Sequence, residues 1–162
     1  MAPSRYGASP EYGPGAQDPS GFYYCFQHSP EGAVLAAMAY SIQGSALVDD
    51  AFYAYNEYAA GPGPDANAPG TETDMVQRKE ILTDFRANPL GVRVLQYDGE
   101  RAWIDVAIES SYQGTITQQA GMLPLVWSDG DWKIEADTSK VTSGAISSLD
   151  GYVLFTPTTN AQ

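Results

Sequence analysis

Near Gly91 the hydrophobic period of this chain changes from the 3.6 residues of a helix to the 2 of a strand. Downstream, "VRVLQY" and "ERAWIDVAIES" flank Asp98-Gly99, and "TITQQAGMLPLVWS" and "DWKIEA" flank Asp129-Gly130. An Asp-Gly pair between two alternating runs is the strongest short-range hairpin signal, because both central turn residues must take positive φ. Strands are therefore predicted over 92–97, 101–110, 114–127 and 131–136. Gly121 and Pro124 interrupt the third of these, which predicts a bulge or bend near a sheet edge.

Upstream, the pattern is helical. In "HSPEGAVLAAMAY", Ser29 suits an N-cap, Pro30 the first helical position, and Glu31 the positive end of the helix dipole. Val34, Leu35, Met38 and Ile42 then recur at helical spacing, which predicts a helix over 30–43 that stops at Gly44. A second helix is predicted over 46–59, with Leu47, Val48, Ala51, Phe52, Tyr55 and Tyr58 on its buried side. A third is predicted over 72–87, with Met75, Ile81, Leu82 and Phe85 inward, Thr71 and Asp74 at capping-box spacing, and Asn88-Pro89 ending it. Three helices followed by an antiparallel meander give an α+β domain, the helices packed on one face of a curved four-stranded sheet.

The 162 residues are enough for one domain, expected over 21–156. Residues 1–20, rich in proline and glycine, read as a flexible lead or tether; 61–70, "GPGPDANAPG", as a loop; and 157–162 as a frayed tail. No run approaches the roughly 20 apolar residues of a membrane span, and the first residues lack the pattern of a signal peptide. Twenty acidic against eight basic residues give a net charge of −12. That surface repels phosphate backbones and anionic headgroups, so nucleic acid is not expected as a partner. Cys25 is the only cysteine, which excludes an intrachain disulfide; among its aromatic neighbours it is expected to be a buried small hydrophobe.

Few residues invite chemistry. His28 is the only histidine, and no second histidine or cysteine exists to build a zinc site around it. Just before a helix cap it is expected to pack or bond structurally. On the strand 101–110, Trp103, Asp105, Ala107 and Glu109 share one side, and Ala102, Ile104, Val106 and Ile108 the other. Asp105 with Trp103 either faces solvent or lines a pocket, where a lone carboxyl would act as a general base with a raised pKa. Asp49, Asp50, Glu57 and Asp65 lack the ligand spacing of a calcium loop. No phosphate-binding loop, nucleophile elbow or zinc spacing occurs, so no catalytic, cofactor or metal residue is assigned. On the wetter side of the second helix Tyr53, Asn56 and Glu57 form a candidate interface, an amphipathic aromatic among acids.

"LVWSDGDWKIEAD" after three helices resembles the penultimate hairpin of the nuclear transport factor two-like (cystatin-like) superfamily. "FQHSPEGAVLAAMAY" and "SSLDGYVLFTP" resemble the opening and terminal motifs of domains from actinobacterial integrative and conjugative elements, with Phe155 where their tail carries Trp. The resemblance implies a cone-shaped fold, a membrane anchor absent from this chain, and an extracytoplasmic position. It implies a non-catalytic scaffold similar to the inner-membrane assembly factors of type IV secretion, working within a transfer complex and as a dimer or trimer. His28, Ser29, Pro30, Gly32, Trp127, Trp132, Gly151 and Tyr152 carry over as fold-setting positions. The alternative is a small-molecule-binding or enzymatic member of the same superfamily, with Asp105 and Trp103 in the cone pocket.

Overall fold

The computed structural model describes Ser9 and residues 11–63, 74–136 and 142–155. The chain is α+β, in the order β1 (Ala16–Gln17), β2 (Tyr23–Tyr24), α1 (Pro30–Ala46), α2 (Asp49–Ala59), α3 (Met75–Thr83), β3 (Phe85–Tyr97), β4 (Arg101–Tyr112), β5 (Thr115–Ser128), β6 (Asp131–Ile134), β7 (Ser143–Ala145) and β8 (Val153–Leu154). All three helices and the four long-predicted strands exist. The sheet is larger than the four strands expected: six lie in one antiparallel sheet, ordered β6-β5-β4-β3-β8, with β7 also on β5. The two extra strands are too short to leave a periodic signal; they are defined only by the edges they pair with, β7 on Gln119–Gly121 and β8 on Gly91 and Val92.

The third helix is shorter than its apolar spacing predicts. It ends at Thr83, and Phe85, counted on its inner face, begins β3. Phe85 through Pro89 pair with Ile108 through Tyr112 of β4, a long-range ladder that overrides the local helical pattern. Pro89 is tolerated there because β3 lies near the sheet edge. Asp74 itself caps α3, its carboxylate accepting from the Gln77 N–H at 3.1 Å, whereas Thr71 and the predicted first turn lie outside the described residues. No residue of α3 is buried, and Ile81 is exposed.

The expected irregularity of β5 occurs elsewhere. Residues Thr115–Val126 pair with β4 without a shift, and the bulges fall in β3, between Pro89 and Gly91 and between Val94 and Gln96. Pro124 fits the continuous ladder because its carbonyl faces away from β4, accepting from the Glu135 N–H at 2.9 Å; its missing N–H lies on that same side. Asp129 and Gly130 both take positive φ, 55° and 79°, as the predicted hairpin requires; at the other predicted turn only Gly99 does, at 96°, and Asp98 does not.

The core lies between α1 and the sheet. Ala33, Ala36, Ala37 and Tyr40 of α1 are fully buried and pack with Val92, Ala102, Ile104, Val106, Leu125 and Trp132. Of the residues whose helical spacing predicts the apolar face, Met38 is buried, and Val34, Leu35 and Ile42 are only half-buried. The alanines let the helix axis approach the sheet closely, so Val34, Leu35 and Ile42 lie at its flanks. The segment expected as a free lead is in part tied down: described residues 11–17 bond back through Gly15 N–H to Cys25 O (2.7 Å) and Gln27 N–H to Tyr12 O (3.0 Å). Gly13 permits the approach, since a Cβ there would sit 2.7 Å from the Cys25 carbonyl. Cys25, expected to be buried, is exposed. Its backbone takes the left-handed conformation, φ 74°, which turns Phe26 into the core and Cys25 out of it. Most of the loop 61–70 and the tail 157–162 lie outside the described residues.

Candidate functional site

The start of α1 is built around Gly32. Ser29 Oγ accepts from the Gly32 N–H at 3.0 Å, Pro30 opens the helix, and a Cβ at position 32 would meet the Gln27 carbonyl oxygen at 1.9 Å. The "HSPEG" run is thus a hook that folds Gln27 onto the first helical turn. His28 projects from the hook and stacks on Trp127, ring centroids 4.0 Å apart and planes 4° from parallel. Its Nε2 donates to the Gly99 carbonyl at the β3–β4 turn. Trp132 is fully buried, lies edge-on to both rings, and donates from its indole N–H to Gln27 O at 3.0 Å. His28, about a hundred residues before Trp127 and Trp132, forms one clasp with them between hook and hairpins, in which His28 Nε2 and the Trp132 indole N–H are both bonded internally.

Asp131 lies under this clasp and is 1% exposed. Its carboxylate accepts from the N–H groups of Cys25 (2.8 Å), Phe26 (2.9 Å) and Trp132 (2.9 Å) and from the Tyr58 hydroxyl. Burial first, and then the hydrogen bond to Asp131, push the Tyr58 hydroxyl far above the usual tyrosine range. Lys133, two residues on and on the same face of β6, donates to the Tyr58 carbonyl at 2.7 Å and lies 3.1 Å over the Tyr58 ring; burial draws its pKa down. The sequence reading missed Asp131. The only available signal was an acid directly after an Asp-Gly turn, which ordinarily marks solvent.

Asp105 faces away from the helices, opposite Ile104 and Val106 of the core, so it does not project into the space between sheet and helices. Trp103 shares its side of β4 and is half-buried. Asp105 is 7% exposed because residues 146–152 run from β7, at the outer edge of β5, to β8, at the outer edge of β3, across this face. Asp105 Oδ2 receives Arg93 at 2.8 Å and the Tyr152 hydroxyl at 2.6 Å, and the Arg93 guanidinium lies 4.6 Å over the Tyr152 ring. Gly151 makes the turn into Tyr152 with φ 88°. Asp105 is therefore a latch for the crossing strap rather than a lone carboxyl in an apolar pocket.

Tyr53 and Glu57 are exposed on α2 and Asn56 is half-buried beside them, so the three share a face. Tyr53 rests edge-on against Phe52. An apolar surface lies elsewhere, where the sheet edge parts from the start of α1. A groove of about 460 Å³ opens there between Tyr12, Val34, Leu35, Val92, Val94 and Val153, with Glu31 on its rim. Val94 and Val153 are 47% and 70% exposed. Among the described residues no group of three or more acidic, histidine or cysteine side chains could hold a metal ion, and no helix is long and apolar enough to cross a membrane.

No curated protein and no solved structure matches the chain. The sequence does match, over residues 3–154, the family described as Domain of unknown function (DUF8175), and with nearly its whole length covered the chain belongs to that family.

Proposed function

We propose that this chain is a non-catalytic scaffold that works through protein contacts, as the extracytoplasmic assembly domain of a conjugation or secretion apparatus. The fold it uses is the nuclear transport factor two-like cone, with helices closing one face of a curved sheet, and a membrane anchor outside this chain holds it in place. The observation that carries the contact reading is the groove at the sheet edge. It exposes valines from two strands next to two half-buried side chains of α1, an apolar surface of the kind that marks protein interaction sites. The polar side chains with the strongest chemistry support it from the other direction: Asp105, Asp131, Tyr58 and His28 all spend their bonds inside the fold. Attachment to a shared membrane raises the effective concentration of partners, so a weak groove is sufficient.

The test is a photo-activatable amino acid placed at Val94 of the full-length protein in its native membrane, combined with a transfer assay of Val94→Asp. Crosslinks to transfer components, or to a second copy, with reduced transfer are the expected result. Unchanged transfer and no crosslinked protein overturn the reading.

A further inference from the structure

The groove is an opening at an unfinished sheet edge as well as an apolar patch. β8 covers the outer edge of β3 only at Gly91 and Val92, and among the described residues no strand pairs that edge from Arg93 to Tyr97. Val94 and Leu95 are both about half exposed there, beside the bulge between Val94 and Gln96. The edge is also surrounded by acids. Glu11 and Glu31 flank Tyr12, and Glu31, Asp98 and Glu100 lie around Tyr97; in both places the carboxylates help to raise the tyrosine pKa, at Tyr12 with Glu11 foremost and at Tyr97 after burial. None of these four acids has an ion-pair partner among the described residues.

We propose that the groove takes a basic, extended segment of a partner protein, laid along the β3 edge beyond Val153 with one apolar side chain seated between Val94 and Leu35. This rests on the contact reading above and specifies the partner. Strand addition joins main-chain bonds at an exposed edge to a pocket for alternate side chains. The bulge limits the main-chain pairing to a short stretch, so the apolar anchor and the acidic rim must supply much of the affinity. A second copy of this chain is disfavoured as occupant, because its own surface carries the same excess of acid.

The probe is a short peptide of alternating valine and lysine, titrated into the full chain beside its valine–glutamate counterpart. The valine–lysine peptide is expected to bind, to slow hydrogen exchange of the amides at 93–96, and to weaken with added salt. Val94→Asp and Glu31→Lys, both at solvent-accessible positions, are each expected to weaken it about tenfold or more; Val94→Asp leaves the melting temperature unchanged, while Glu31→Lys lowers it slightly, because it places a cation in the first turn of α1. Equal binding of the valine–glutamate peptide, binding without slowed exchange at 93–96, or exchange slowed by self-association alone overturns the inference. If photo-crosslinking at Val94 still captures transfer components while the peptide fails, the strand inference falls and the contact reading stands; if both fail, both fall.

Discussion

Asp105 and Asp131 are both nearly buried carboxylates on the sheet, and the fold satisfies them in opposite ways. Asp131 has backbone N–H groups from two segments and a tyrosine, so its bonds close the hook before α1 onto the last hairpin. Asp105 has one arginine, itself 43% exposed, and one tyrosine from the strap. The difference lies in what is left behind if the carboxylate goes. Around Asp131 the orphaned donors are fixed main-chain groups with nowhere to turn, whereas Arg93 can swing its guanidinium into water. The first site is a structural keystone and the second a latch that can be opened.

Four measurements would break or sharpen that contrast. Asp131→Ala strands the Cys25, Phe26 and Trp132 N–H groups together and is expected to destabilise by about 3–5 kcal/mol in chemical denaturation; a loss below about 1 kcal/mol would show that water reaches those donors. Asp105→Ala is expected to cost about 1–2 kcal/mol, since the ion pair is screened on the Arg93 side, and to speed exchange in 146–152 more than in α1. An equal loss of protection in α1 would mean that the strap is part of the core.

Tyr152→Phe removes one hydrogen bond to Asp105 and keeps the ring under Arg93, so about 1 kcal/mol is expected. In a double-mutant cycle Tyr152→Phe and Asp105→Asn should be non-additive, because a single oxygen serves both partners. The smallest effect is alkaline. Tyr58 has its folded pKa raised, by burial first and Asp131 next. Its contribution to stability is complete below the unfolded value of about 10 and is lost as pH rises through the folded value. Tyr58→Phe should therefore flatten the fall in stability above about pH 10, read by denaturation at a series of pH values. A slope identical to the parent's would place the alkaline loss on Tyr40 and Tyr55, whose pKa values burial also raises.

Local signals were legible where the chain itself supplies the partner. Ser29, Pro30 and Glu31 lie within one turn of the helix they start, and Asp129-Gly130 needs only its own positive φ values. Phe85 was misread for the complementary reason. Its spacing from Ile81 and Leu82 is helical, but its partner is Tyr112 across a ladder. Cys25 was misread because a single left-handed residue reverses the side on which every neighbour lies. The candidate surface on Tyr53, Asn56 and Glu57 was readable as a helix face, while the groove was not. Its lining comes from the lead, α1, β3 and β8, which no sequence window contains together.

By itself the sequence determined the α+β class, the helix-then-sheet order, and the hairpins, because period, caps and turn conformations are set by interactions a few residues long. Tertiary structure alone decided that Asp131 is a buried acceptor, that Asp105 latches a strap, and that, among the described residues, no strand pairs the β3 edge beyond Val92. Each depends on segments tens of residues apart arriving at one place. A carboxylate's role is fixed by the donors that reach it, and an edge by the strands that stop short of it.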